Sequence, residues 1–197
     1  MTKISAKDIA ALRAKTDLPM MEIKEALVEA GGDETKAIEI LKKKGHKKVE
    51  KKSNRETCSG LIESYTHDGR IGVIVEVKSE TDFVAKNDQF KEFVHNLVLH
   101  VAATNPKYLS EKDVPKEEIE REMREAQVQA EKEGKPAEIA KKIAEGKMKK
   151  YFEEVCLLNQ PFIKDDKKTI SDLMTELVAK IGENIKITRF VRFELGD

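Results

Sequence analysis

Ile71-Gly72-Val73-Ile74-Val75-Glu76-Val77-Lys78 runs without a break into Ser79-Glu80-Thr81-Asp82-Phe83-Val84-Ala85-Lys86-Asn87. The first half is rich in β-branched residues and reads as a strand. The second opens with Thr81 and Asp82, either of which caps a helix by accepting a free backbone N–H. A strand therefore hands over to a helix, with a large ring beside a carboxylate at the junction. Upstream, Gly60-Leu61-Ile62-Glu63-Ser64-Tyr65 and the Ile71 run flank His67-Asp68-Gly69-Arg70, and Asp-Gly marks a hairpin because glycine accepts the positive φ of the turn. Downstream, Phe83, Phe90, Phe93, Val94, Leu97, Val98 and Val101 form a broad apolar stripe on one expected helix, ending before Asn105-Pro106. Residues 185–193 alternate as a third strand. The expected class is α+β, a three-stranded antiparallel sheet backed by helices.

The first 45 residues read as three short helices, a bundle of the ubiquitin-associated type. Ser5 caps the first, which carries Ile9 and Leu12; Pro19 suits the first turn of the second, with Met20, Ile23, Ala26 and Leu27. Gly31-Gly32-Asp33 separates it from a third, with Ala37, Ile38 and Leu41, expected to end at Gly45. A basic linker is expected over 46–56 and a core over 57–197. Within the core, residues 110–150 are mostly helix formers broken by Gly134-Lys135-Pro136, which predicts a projecting helical hairpin. Its seams are Ile119, Met123 and Ala126 on one helix and Ile139, Ile143 and Met148 on the other. Thr169 caps a last helix with Leu173, Leu177 and Val178.

The chain has 197 residues, enough for one medium domain or a compact domain plus a small one. Charged residues make up 38% and aromatics 5%, with no Trp, so the core is expected to be modest and aliphatic. The 37 basic and 37 acidic residues cancel, which argues against a general nucleic-acid or membrane binder. No run approaches a membrane span and the opening Met1-Thr2-Lys3-Ile4-Ser5-Ala6-Lys7-Asp8 lacks the apolar run of a signal peptide, so a cytoplasmic protein is expected. Cys58 and Cys156 have no metal-ligand spacing and cannot form a disulfide framework.

Chemistry is hard to find. His46 and His67 read as solvated, and His95 and His100 are five apart, off the i, i+4 register of a zinc pair. There is no phosphate loop, dinucleotide fingerprint or nucleophile motif. Cys156 reads as a core or interface thiol. No catalytic residue, metal site or cofactor is expected. Glu76, Glu80, Asp82 and Asp88 form a conceivable carboxylate site, the least favoured of three readings. A second reading is RNA or ribosome binding through the run Lys42, Lys43, Lys44, Lys47, Lys48, Lys51, Lys52 and Arg55, opposed by Glu50 alone; a solvated helix or linker accounts for the same run more simply. Asp82-Phe83, by itself, reads as a helix cap followed by a core-facing ring.

The order of several blocks changes that weighting. Leu12-Arg13-Ala14-Lys15-Thr16, then Met20-Met21-Glu22-Ile23-Lys24-Glu25-Ala26-Leu27, then residues 72–87, Gly134-Lys135-Pro136, Gly146-Lys147-Met148-Lys149-Lys150 and Gln160-Pro161-Phe162-Ile163-Lys164-Asp165 together resemble the bacterial elongation factor Ts family. Asp17-Leu18-Pro19 stands where that family often has Gly-Ala-Gly, and Ser79 where it often has Cys. The chain has room for one sheet-bearing core module and so resembles the short form, for which the resemblance implies a homodimer. It further implies a guanine-nucleotide exchange factor for elongation factor Tu, not an enzyme, with no specific nucleic acid as partner. Leu12, Met20 and Met21 would belong to the surface that grips the GTPase. Thr81, Asp82, Phe83 and Val84 would intrude near its nucleotide, with Phe83 the wedge that shifts the groups holding Mg²⁺.

Overall fold

The structure, a computed structural model, describes residues 4–196. It is mixed helix and strand. Three helices come first: α1 (Ala6–Thr16), α2 (Met20–Glu29) and α3 (Glu34–Lys52). Strands β1 (Ser59–His67) and β2 (Ile71–Ser79) follow, then a one-turn helix α4 (Asp82–Ala85) and the long α5 (Asp88–Thr104). Next come α6 (Lys116–Lys132) and α7 (Ala137–Val155), the short strands β3 (Pro161–Phe162) and β4 (Asp165–Thr169), α8 (Ile170–Ile181) and β5 (Ile185–Glu194). The three-stranded antiparallel sheet expected from the hairpin and the C-terminal alternation is present, with the order β1-β2-β5.

Two compact units divide the chain. One contains the chain as far as Leu61 with Val77–Phe93 and Asp172–Lys186; the other contains Ile62–Glu76, Val94–Ser171 and Ile187–Asp197. The first unit thus joins the N-terminal helices, the Thr81–Phe83 junction and α8. Its bundle core is Leu12, Ile23, Ala26, Leu27, Ala37 and Leu41, with Ile9, Leu18 and Ile38 packed around it. Ser5 and Asp8 form a reciprocal capping box on α1, satisfying two otherwise orphaned N–H groups. Asp17 ends α1 at φ 55, a left-handed position that glycine fills without steric cost. Its carboxylate accepts from Gln89 Nε2 at 3.1 Å and lies 3.9 Å from Lys180 Nζ, contacts that a glycine would not make.

Three sequence expectations change. The third helix does not stop at Gly45 but continues to Lys52, so most of the expected 46–56 linker is helical. Gly45 is buried, and a Cβ there would lie 3.2 Å from Thr175 Cγ2 on α8. The glycine permits a close helix–helix approach, a use of its small size that a stop signal does not distinguish. The expected helix from Thr81 is two helices, because Asn87 Oδ1 accepts from the N–H of Gln89 (2.8 Å) and Phe90 (3.3 Å) and starts α5 afresh. Phe83 therefore leaves the apolar stripe, while Phe90, Phe93, Val94, Leu97, Val98 and Val101 remain buried. The hairpin seam also shifts: Ala126, Ala130, Ala140, Ala144 and Met148 are buried, whereas Met123 and Ile139 are exposed. Small residues at i, i+4 spacing let α6 and α7 pack closely, which favours alanine over the larger side chains.

In the second unit the hairpin is antiparallel, since Glu118 meets Tyr151 while Gln129 meets Lys147. Tyr108 Oη also donates to Glu118, at 2.6 Å. These two phenols hold the Glu118 carboxyl below its usual range, and burial together with that carboxylate pushes the Tyr151 phenol well up. His100 is fully buried; its Nε2 lies 2.9 Å from Gln160 Oε1, and its Nδ1 accepts from the Ile163 N–H at 3.4 Å. In the first unit, Gly60 is required for the approach of β1 to β2: a Cβ there would lie 2.2 Å from the Val77 carbonyl oxygen.

Candidate partner-binding site

β2 ends in the buried Ser79, whose hydroxyl donates to the Thr81 carbonyl at 2.9 Å and bends the chain out of the sheet. Thr81 is the N-cap of α4, with extended backbone (φ −125, ψ 161), and its hydroxyl accepts from the Val84 N–H at 3.5 Å. Asp82 follows in the first helical turn, where a carboxylate faces the positive end of the backbone dipoles. Lys86 Nζ lies 2.8 Å from its Oδ2, and that hydrogen bond holds the Asp82 carboxyl below its ordinary range. Val84 turns inward and is buried. Phe83 turns outward and is 81% exposed. The cap-and-core reading thus fits Thr81 and Val84 but not the ring.

Of the residues expected on the bundle surface, Met20 and Met21 are 55% and 66% exposed at the start of α2, with Val28 also exposed near its end. Leu12 is different. It is 1% exposed, in the centre of the bundle core, and supports the bundle without offering a surface. Phe83 and the two methionines belong to the same compact unit although some sixty residues separate them in the chain. Single exposed apolar residues are ordinary on protein surfaces. Flexible methionines and a protruding ring within one unit are what an adaptable protein-binding surface uses.

The basic run splits by face. Lys44 pairs with Glu29 (3.2 Å) and Glu25 (3.9 Å), Lys48 with Glu22 (2.6 Å), and Arg55 with Glu80 (3.3 Å), while Lys52 donates to the Gly182 carbonyl. Burial, with Arg55 and Lys48 nearby, lowers the pKa of the Lys52 ammonium. Half of the run therefore holds the unit together. Lys42, Lys43, Lys47 and Lys51 are exposed.

The carboxylates of the third reading do not converge. Glu76 accepts from Thr188 Oγ1 (2.9 Å) and Arg189 Nε (2.6 Å), Glu80 from Arg55 and from the Asn184 N–H, and Asp82 from Lys86. Among the described residues no three of His, Cys, Asp or Glu are grouped so as to hold a metal ion. Cys156 is buried and burial pushes its thiol up to about 11, which suits an inert core sulfur; Cys58 is exposed.

Sequence reasoning missed Glu183 and Asn184. Glu183 accepts from the Thr81 N–H (3.1 Å) and the Thr81 hydroxyl (2.9 Å); Asn184 donates its N–H to Glu80 (2.6 Å) and its side-chain amide to the Arg55 carbonyl (2.9 Å). The available signal was weak: Gly182-Glu183-Asn184 between a helix and a strand looks like any polar turn.

Comparison with known proteins decides the relationship. The sequence matches the family model for Elongation factor TS over residues 6–197. The chain belongs to the elongation factor Ts family. Elongation factor Ts of Oleidesulfovibrio alaskensis is 52% identical, with both chains covered completely. That of Alkaliphilus oremlandii is 51% identical over 98% of this chain and 90% of its own, and that of Carboxydothermus hydrogenoformans 51% identical with the same coverage. Membership makes the chain a translation elongation factor. It also extends to the bundle and the hairpin alike, since the match runs from α1 to the last residue. Among the described residues no helix is long and apolar enough to cross a membrane.

Proposed function

We propose that this chain is a guanine-nucleotide exchange factor that binds elongation factor Tu carrying GDP and speeds GDP release, so that GTP can enter. The observation that carries the reading is Phe83, four-fifths exposed on a capped turn and in one compact unit with Met20 and Met21. Met20 and Met21 grip the GTPase, Leu12 keeps the bundle that presents them packed, and Val84 and Thr81 anchor the turn. Phe83 enters near the nucleotide site and Asp82, freed from Lys86, reorders polar groups there. The protein performs no covalent chemistry; GDP leaves because contacts to its phosphates and Mg²⁺ are lost in the partner.

The factor acts in the cytoplasm as a homodimer. The second compact unit carries exposed Ile62, Ile74, Val191 and Phe193 on the three strands, apolar surface of the kind a second copy covers. Release of a fluorescent GDP analogue from elongation factor Tu, followed with and without this protein, tests the exchange reading. Acceleration is expected at substoichiometric factor; an unchanged release rate refutes it. Light scattering reads the oligomer directly, and a monomer at micromolar concentration refutes the dimer.

A further inference from the structure

The loop of residues 182–184 bonds to two separate segments of the first compact unit at once. Toward the candidate wedge, the Glu183 carboxylate takes both donors of Thr81, the N–H at 3.1 Å and the hydroxyl at 2.9 Å, and the Asn184 N–H donates to Glu80 at 2.6 Å. Toward the end of α3, the Gly182 carbonyl accepts from Lys52, and the buried Asn184 side chain donates to the Arg55 carbonyl at 2.9 Å. Arg55 in turn reaches Glu80, closing a circuit between the two segments. Gly182 sits at φ +87, a conformation that lets the loop turn so sharply after α8.

Thr81 is the cap of α4, so whatever fixes Thr81 fixes the direction in which the four-residue helix aims Phe83. A helix of one turn has no stability of its own. The cap alone, at 3.5 Å to the Val84 N–H, is a weak restraint. A carboxylate accepting two hydrogen bonds from one residue is a strong one, because bonds to a charged acceptor are roughly twice as strong as neutral ones.

We infer that loop 182–184 is a clasp, with Glu183 the positioning residue that holds Phe83 in the presented state and Asn184 the link that ties this state to the bundle. The inference rests on the exchange reading for its functional consequence. Its structural content stands apart from that reading. With Glu183 replaced by alanine, the turn samples other conformations and only a fraction of molecules present the ring. The bundle grip is untouched. The maximal GDP-release rate then falls by about fivefold to tenfold, while the concentration for half-maximal effect stays within about twofold.

The experiment has two arms on the full-length protein. In the first, amide hydrogen exchange is compared between the parent and Glu183→Ala without any partner. Faster exchange at residues 81–84 with unchanged exchange across α1 and α2 upholds the clasp; unchanged exchange at 81–84 overturns it. In the second, GDP release is titrated with Glu183→Ala, Glu183→Gln, Phe83→Ala and the Glu183→Ala/Phe83→Ala pair. Glu183→Gln retains a neutral acceptor for one of the Thr81 donors and is expected to recover part of the rate. In the pair, Glu183→Ala costs nothing beyond Phe83→Ala, because there is no ring left to aim. A full additional loss in the pair, or a wild-type rate for Glu183→Ala beside a slow Phe83→Ala, overturns the positioning role. A wild-type rate for Phe83→Ala overturns the wedge role of the ring, and an absence of acceleration by the parent protein overturns the exchange reading; in both cases the hydrogen-exchange arm still decides the clasp.

Discussion

Phe83→Ala separates fold from function unusually well, because the ring is 81% exposed in the free protein. Full burial of a phenylalanine side chain stabilises by about 1.5–3 kcal/mol. Only about a fifth of that is realised in the free chain, so truncation should cost roughly 0.3–0.6 kcal/mol of folding stability, partly offset by the better helix propensity of alanine in α4. The remaining four-fifths, roughly 1.2–2.4 kcal/mol, becomes available only when the ring enters the partner. If that energy is realised in displacing GDP, the variant should release GDP about eightfold to sixtyfold more slowly at saturating factor. The assay is stopped-flow release of a fluorescent GDP analogue from elongation factor Tu, titrated to saturation, beside urea unfolding of the free variant. A saturating rate within twofold of the parent refutes the wedge. A loss of folding stability above about 1.5 kcal/mol refutes the premise that the ring is unused in the fold.

Leu12→Ala should destabilise the bundle by about 2–5 kcal/mol, seen as a lower unfolding midpoint, since it empties the bundle centre. Met20→Ala should leave that midpoint nearly unchanged and chiefly weaken the complex, measured by titration calorimetry with the GTPase. Gly60→Ala should cost at least about 2 kcal/mol, measured by urea unfolding, because its Cβ would meet the Val77 carbonyl at 2.2 Å and its φ is +152. His100 is held neutral by burial, which lowers its pKa below the ordinary histidine value. Between its folded and unfolded pKa values the unfolded chain binds the extra proton, so stability is complete above about pH 6.5 and declines as the pH falls toward the folded pKa. One group contributes a slope of at most about 1.4 kcal/mol per pH unit there, and His100→Asn should flatten the unfolding free energy between pH 7 and 5.

Periodicity made the strands, the hairpin turn and the bundle core legible, because each depends on neighbours close in sequence. The run read as a strand buries Val73, Val75 and Val77 on one face, and Leu12, Ile23, Leu27 and Leu41 meet in one core. What was not legible depends on contacts between distant segments. Gly45 looks like a terminator until α8 is known to pass beside it, and Asn87 looks like a mid-helix residue until its side chain is seen to cap α5. The same limit applies to the site. Phe83 was singled out by resemblance, but its exposure follows from the helix break at Asn87, and its restraint from Glu183, a hundred residues on. Local propensity cannot report either, since Glu, Asn and Gly in a polar turn satisfy many roles equally.

Linkage ties these pieces together energetically. A factor that weakens GDP binding by some ratio has its own binding weakened by GDP in that same ratio. On the proposed exchange reading the ring would contribute about one to two decades, so it could not by itself offset the contacts that a firmly held nucleotide loses. The balance would then come from the grip, and the grip would help only by holding the ring in place rather than merely nearby. A flexible linker between bundle and core would spend part of the binding energy on ordering that linker. Instead α3 continues through most of the expected linker, and Lys52 at its end and Arg55 just beyond it are bonded to the 182–184 loop and to Glu80, one residue before the Thr81 cap. On the exchange reading proposed above, contact made at Met20 and Met21 would therefore orient Phe83 with little entropy left to lose, which is the condition under which a small wedge drives a large displacement.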